Sequence, residues 1–408
     1  MQDTTAFGFS DLAKQASLQP KEALLTSGKS NKGLQIGIPK ETTLQEHRCP
    51  LTPSAIHVLS SNGCEVWIES GAGKGAWFSD QEFSEAGAKI CYSKEEIFNA
   101  EIIVKVEPLT DDELKLLKAD QLVISAIQHC AKSESYIKSL MNKKANAIAF
   151  EFLKDVDEEY PVVKSMSEIA GYSAISIATE LLSVNRGGKG EMFGGIVGIP
   201  PTEVVIIGAG TVGKSAAKAA LGFGAMVKVF DHSLNNLRAL QQSVSQSIFT
   251  SLIHPKILQK ALLSADVAIG CIRNEEGRSP VIISEEQVMQ MKSGSVIIDI
   301  SIDQGGIFET SETTNHAQPT FVKHDVIHYC VPNITSRVSR TASYALSNVL
   351  SPLLLNLNDS KSLTELLYKN PGIRSGAFVF KGSLTNPHLG KRLNIYHKDL
   401  DLLLATHL

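Results

Sequence analysis

The sequence contains no Cys-x-x-Cys pair; its six cysteines, Cys49, Cys64, Cys91, Cys130, Cys271 and Cys330, are scattered along the chain. That spacing argues against a disulfide framework and against a structural zinc site, predicts no metal, and fits a reducing compartment. Long apolar runs are also missing. The longest, such as AIAF, VVII and SVIIDI, have the length of strands, far short of the ~20 residues that span a bilayer. The first residues do not join a basic start to an apolar run, so no secretory signal is expected and the protein is expected to be soluble and cytoplasmic. Nor is positive charge in excess. Lys and Arg number 39 against 43 Asp and Glu, a net charge of −4, which offers no field for nucleic acid or an anionic membrane surface. No internal repeat and no low-complexity segment interrupts the chain.

What is present is an ordinary globular composition, 43% hydrophobic and 20% charged, spread over 408 residues. One core rarely holds so long a chain, so two domains are expected. Residues 1–33 are polar and end in LTSGKSNKG, which reads as an appendage to the main fold. From Leu34 the runs LQIGIP, CEVWIES, IIVKV, QLVISAI and AIAFEF alternate with segments of helical spacing. That alternation predicts βαβ units and a mostly parallel sheet. MSEIAGYSAISIATELLSVN then reads as a long helix. A second βαβ series follows in EVVIIGAG, AMVKVFD, DVAIGCI, SVIIDIS and DVIHYC, and RTASYALSNVLSPLLLNL reads as another long helix returning the chain to the first domain. The expected fold class is therefore α/β, with two doubly wound domains of dinucleotide-binding type and a cleft between them. The first domain would be discontinuous, residues 34–165 plus 339–408, and the second would span residues 166–338.

The strongest local signal is VVIIGAGTVGKSAAKAALGFGAMVKVFD. A buried strand runs into Gly208-x-Gly210-x-x-Gly213, and an alanine-rich helix opens at Thr211 and Val212. Gly208 would allow the tight turn, Gly210 the approach of backbone amides to a pyrophosphate, and Gly213 close packing of helix on strand. The helix N-terminus offers unpaired N–H groups and the positive end of its dipole. Asp231 closes the next strand 23 residues after Gly208. A carboxylate there suits the ribose hydroxyls of NAD and repels the extra phosphate of NADP. Further on, DISIDQGG places polar groups and glycines at the end of a strand, where ligands of open α/β sheets collect.

With these residues in hand, the chain resembles the alanine dehydrogenase family, which is related to the alpha subunit of nicotinamide nucleotide transhydrogenase. The likeness runs from about Gln35 to the C-terminus, more than nine-tenths of the chain. Its anchors are IGIPKET…HR…LTP (Ile36–Pro53), ESGAGKGAWFSD (Glu69–Asp80), MSEIAGY (Met166–Tyr172), GGKGEMFGG (Gly187–Gly195), the GAGTVG turn, DISIDQGG (Asp299–Gly306), VKHDVIHYCVPNI (Val322–Ile334) and RTASYALSN (Arg340–Asn348). The resemblance implies NAD-dependent oxidative deamination of L-alanine to pyruvate and ammonia, and the reverse reductive amination, by a homo-oligomer that is a hexamer or a dimer. It implies that Arg48 clamps the substrate carboxylate, a task suited to a planar guanidinium, and that His129 is the acid/base group. Asp303 would face substrate and nicotinamide, and Ser167 and Asn333 would contact the cofactor. Outside the family, Arg48 would read as an ion-paired arginine and His129 as a structural histidine.

The chain also departs from the family. Where relatives read KVKEP, this sequence has KVEP (Lys105-Val106-Glu107-Pro108, after Val104), one residue and one lysine fewer. Lys105 is expected to take over the lost substrate contact, although a one-residue shift in a strand reverses the side-chain face. Tyr172 stands where alanine dehydrogenases commonly carry arginine, IRNEEGRSP (Ile272–Pro280) replaces an apolar segment, and Asn236 replaces a basic residue after the ribose-binding acid. These differences keep two alternatives open. One is an NAD(H) oxidoreductase of another amino or keto acid, or a transhydrogenase-like protein. The other is an NAD-binding regulatory protein without catalysis, which would bind NAD but turn over no amino acid.

Overall fold

In a computed structural model, residues 33–43, 45–127, 134–273, 279–360 and 362–406 are described, and Leu34–Leu408 forms one compact unit. The expected appendage, residues 1–33, lies outside the described residues apart from Gly33. Two sheets organise the unit. The first contains β1 (Gln35–Ile38), β2 (Glu65–Glu69), β3 (Lys89–Cys91), β4 (Ile102–Val104), β5 (Leu122–Ser125) and β6 (Asn146–Ala149). The second contains β7 (Glu203–Ile207), β8 (Met226–Asp231), β9 (Phe249–Leu252), β10 (Val267–Gly270), β11 (Val296–Asp299), β12 (Thr320–Lys323) and β13 (Val326–Tyr329). The late strands β14 (Ala377–Phe380) and β15 (Ser383–Leu384) rejoin the first sheet beside β6. That sheet is therefore discontinuous in sequence.

Both sheets use one plan. The first runs β15-β14-β6-β5-β4-β1-β2-β3 and the second β12-β13-β11-β10-β7-β8-β9. Only β14, β15 and β12 pair antiparallel. Setting these edge strands aside, each sheet has the doubly wound order in which the first strand and the fourth are neighbours. Strand order thus reverses between β1 and β4 in one sheet and between β7 and β10 in the other. Ligands of such sheets bind in the crevice beyond the carboxyl ends of the strands at that reversal.

Strand alternation explains the layers. In β4, Ile102 and Val104 join one apolar core while Ile103 joins the core on the opposite face. In β7, Val204 and Ile206 face one core and Val205 and Ile207 the other. Strands covered on both faces must be apolar throughout, as these are. The covering helices include Pro161–Leu181 and Thr211–Gly222 on the second sheet. On the first they include Pro53–Ser61 and Ser339–Asp359. The latter helix buries Leu346, Leu350, Leu353, Leu354 and Leu357, a helical period along one face,. No helix among the described residues is long and apolar enough to cross a membrane.

Candidate active site

At the reversal of the second sheet, β7 enters the glycine turn. Gly208 has φ +118, a region that L side chains avoid. A Cβ on Gly213 would fall 1.9 Å from the Gly208 carbonyl oxygen, so the helix can open only over a residue without a side chain. Gly210 is different. A Cβ there would meet nothing within 4 Å, which leaves its side of the turn open. Gly210 begins the Thr211–Gly222 helix with no side-chain cap, so the amides of Thr211, Val212 and Gly213 lack the usual side-chain acceptor of a first turn. Asp231, at the end of β8, is buried. One oxygen accepts the N–H of Ala209 at 2.6 Å and the other that of Ser233 at 2.7 Å. It thereby fastens the glycine turn to the neighbouring strand. An open backbone cradle, an uncapped helix start and a carboxylate at the next strand end fit the pyrophosphate and ribose of a dinucleotide.

The Pro161–Leu181 helix crosses this region closely: a Cβ on Gly171 would lie 2.4 Å from the Val212 carbonyl oxygen. Ser167 sits one turn earlier on the same helix and is half-buried. Tyr172 is exposed.

Asp303 lies in the 3₁₀ turn Ile300–Gln304 that follows β11. The turn is held from beneath by Asp299. Its carboxylate accepts N–H bonds from Ser301 at 3.0 Å and Ile307 at 2.8 Å, and the Ser311 hydroxyl at 2.7 Å. Burial pushes the Asp299 carboxyl above its ordinary value despite these donors. Asp303 itself is exposed, and its Oδ1 accepts the backbone N–H of Asn333 at 3.3 Å. Asn333 adopts φ +56, a left-handed conformation that asparagine tolerates better than most residues.

Arg48 arrives from the first sheet. It follows β1 on an extended segment docked against the loop after β13: the His47 N–H donates to Ser336 Oγ at 2.9 Å, and Ser336 Oγ donates to the Gln45 carbonyl at 2.8 Å. The guanidinium is largely buried. Its Nε and Nη2 donate to the two oxygens of Glu46 at 2.8 and 2.6 Å, and its Nη1 donates to Thr335 Oγ1 at 3.2 Å. Met166 Sδ lies 3.6 Å from Nη1 and Glu107 Oε1 3.8 Å from Nη2. Burial works against the charge of Arg48, but Glu46, with Glu107 and Glu41, more than offsets it and holds its pKa above the ordinary value. Burial likewise opposes ionisation of Glu46, and Arg48 outweighs it, holding that carboxyl below its usual range.

Lys105 takes a place other than the one expected. Pairing with β5 continues past Val104, with the Lys105 N–H donating to Ile124 O at 3.0 Å. Alternation then puts Val106 with Ile102 and Val104 in one core and sends Lys105 to the face of Ile103. There its ammonium is wholly buried, 2.9 Å from Glu113 Oε2 and 3.4 Å from Glu41 Oε2. Glu113 also closes a capping box with Thr110 on the helix Asp111–Leu116,. Lys94 contacts its other oxygen at 3.0 Å. The lysine is part of an internal ion network. Glu41 completes that network. Its Oε1 accepts the Val106 N–H at 2.6 Å, while burial, only partly countered by Lys105, raises its pKa to about 7.

His129 lies outside the described residues, as does Asn274 of the altered loop after β10. The chain leading toward His129 is fastened by the Ile127 N–H, which donates to the buried Glu151 at 2.8 Å. The structure thus gathers Arg48, Asn333 and Asp303 and places the glycine turn and Asp231 at one crevice. Glu41, Glu46, Glu113 and Thr335 were not singled out from the sequence. Glu46, two residues before Arg48 on an extended stretch, carried a local signal, since such residues share a face. The others met only on folding.

Two doubly wound sheets, a glycine-turn cradle and a buried arginine linked through hydrogen bonds to Asn333, which bonds an exposed aspartate, define a dinucleotide-dependent enzyme class. The chain belongs to the alanine dehydrogenase/PNT family. The family's N-terminal domain matches residues 37–170 and its C-terminal domain residues 174–387. An alanine dehydrogenase of Methanococcus maripaludis is 37% identical over 358 residues, covering 87% of this chain and 95% of that protein. Alanine dehydrogenase 2 of Staphylococcus aureus is 35% identical over 369 residues, covering 90% and 99%. A solved L-alanine dehydrogenase structure, 34% identical, covers 88% of this chain and 99% of its own with a TM-score of 0.84. A transhydrogenase from Sinorhizobium meliloti, 21% identical, shares the fold with a TM-score of 0.74.

Proposed function

We propose that this protein is an NAD-dependent alanine dehydrogenase, interconverting L-alanine with pyruvate and ammonia. The observation that carries the reading is the junction at Asn333. It joins Glu46, the carboxylate that holds Arg48 beside the first sheet, to Asp303 at the end of β11 in the sheet that holds the glycine turn. The similarity to proteins named alanine dehydrogenase over most of the chain supports it. The cofactor residues would be Gly208, Gly210, Thr211, Val212, Gly213 and Asp231, with Ser167 and Asn333 beside them. Bound NAD would supply the hydride acceptor. Arg48 would take the substrate carboxylate and so fix the direction of the Cα–H bond. Asp303 would orient water and stabilise positive charge developing at the substrate nitrogen. His129 would exchange the proton of the amine or carbinolamine.

We assign residues 34–165 and 339–408 to a substrate domain and 166–338 to an NAD domain, whose approach would exclude water from the reacting atoms. A cytoplasmic location and a homo-oligomeric state belong to the same proposal. Exposed apolar residues of the loop after the Pro161–Leu181 helix, Met192, Ile196, Val197 and Ile199, support association,. The burial of Lys105 favours a second reading, a related oxidoreductase of another amino or keto acid. The deciding experiment records NADH formation from L-alanine at alkaline pH, with NADP, glycine, L-serine and L-lysine in parallel. Alanine-selective turnover with NAD, lost in His129→Ala and Asp303→Ala, is the expected result. NAD binding by calorimetry without turnover of alanine would sink the assignment.

A further inference from the structure

Arg48 and three side chains beside it form a closed ring of hydrogen bonds in which Arg48 only donates and Glu46 only accepts. Arg48 Nη1 donates to Thr335 Oγ1, and that hydroxyl donates to Asn333 Oδ1 at 3.2 Å. Asn333 Nδ2 donates to Glu46 Oε2 at 2.7 Å. Glu46 accepts from Nε and Nη2 of Arg48, closing the circuit. Side chains from the segment after β1 and the loop after β13 meet in the ring, and Glu46 is almost wholly buried within it. The same Asn333 gives its backbone N–H to Asp303.

Guanidinium has five N–H donors in a rigid fork. Glu46 occupies the Nε–Nη2 edge and Thr335 one hydrogen of Nη1. The Nη1–Nη2 end has weaker partners, Met166 Sδ at 3.6 Å from Nη1 and Glu107 Oε1 at 3.8 Å from Nη2. A thioether is a weak acceptor that a carboxylate displaces. We propose that Glu46 is a positioning residue: it fixes Arg48 with this end-on fork free for the substrate carboxylate, and through Asn333 it ties the clamp to Asp303. Thr335 is its partner in that task. The inference rests on the proposed function only for the carboxylate substrate itself.

Glutamine at position 46 keeps the shape but turns one acceptor into a donor. In either amide orientation its N–H then faces the Nε–H or Nη2–H of Arg48. Asn333→Gly removes the amide from the ring but retains the left-handed backbone and its N–H to Asp303. Asn333→Asp sets a carboxylate against Glu46 and should be worse than glycine. The test measures KM for pyruvate in the NADH-dependent direction, kcat, NADH affinity by fluorescence and thermal unfolding. The expected result for Glu46→Gln is a KM for pyruvate raised about tenfold or more, the scale set by misplacing a clamp by about 1 Å, with NADH affinity unchanged. Asn333→Gly and Thr335→Val should each raise KM less, and either combined with Glu46→Gln should add little, because the three break one circuit. Thr335→Ser should restore KM. Unchanged KM in a folded Glu46→Gln protein overturns the proposal, and so does equal loss of NADH and pyruvate affinity. Were the wild-type protein to oxidise no amino acid, the proposed activity alone would fall. The ring would then be judged by calorimetric binding of pyruvate to the protein with NADH, and absence of that binding in wild type would overturn it too.

Discussion

The two sheets reverse their strand order at equivalent places, between β1 and β4 and between β7 and β10, yet the crevices beyond those reversals are filled in opposite ways. Beyond β7 lie glycine and backbone amides, with a carboxylate at the next strand end. Beyond β1 and β4 lie Glu41, Lys105 and Glu107, with Arg48 and Glu46 close by. One topology therefore yields a cradle of backbone amides fastened by one carboxylate and a pocket shaped by ion pairs. The cradle depends chiefly on sterics at its glycines. The charged pocket depends on a balance of burial against Coulomb attraction, where one group can tip the rest.

The largest expected effect breaks the charged pocket. Arg48→Lys keeps the charge but loses the planar fork shared with Glu46, so kcat/KM should fall by about a thousandfold; loss under tenfold in steady-state assays would mean that Arg48 is no clamp. Next comes Lys105→Met, which takes the paired cation from Glu41 and leaves Glu113 with Lys94 alone. Denaturant unfolding should show a loss of about 3–5 kcal/mol, while KM for pyruvate in the folded fraction stays within a few-fold. A selective rise in KM would instead return Lys105 to the substrate. Gly213→Ala tests the cradle. The added methyl must displace the Gly208 carbonyl, so NAD titration should show marked loss of affinity, with about 1–3 kcal/mol of stability lost,.

The smallest effect separates the two crevices by pH. The folded-state pKa of Glu41 is about 7 against an ordinary 4.5. Between those values the folded chain keeps a proton that the unfolded chain releases, so this group makes stability fall as pH rises through the window. Its neighbours in that balance are Lys105, Glu46 and Glu107. Unfolding midpoints compared at pH 5 and pH 8 should converge in Glu41→Gln. The same pH shift should leave the Gly213→Ala difference unaltered.

Much of the site was legible because its parts are local. The turn from Gly208 to Gly213 and the acid at Asp231 belong to one βαβ unit, whose geometry follows from neighbouring residues. Arg48 and Asp303 were recognisable through their family motifs. Lys105 was not legible. Alternation left its face open, but only Glu113 and Glu41, from a later helix and an earlier loop, decide that it forms a buried ion pair. Asn333 was read as a cofactor contact, and the bonds of its side-chain amide with Glu46 and Thr335 were not foreseen.

By itself the sequence determined the α/β class, the doubly wound series of strands, the glycine cradle and the absence of a long apolar segment among its helices. Each of these depends on periodicity or on spacing within a few tens of residues. Tertiary structure decided which distant polar groups meet. Glu46 and Asn333 are 287 positions apart, and no local pattern encodes their approach. The energy of a buried charge is set by whatever partner folding brings within hydrogen-bond reach.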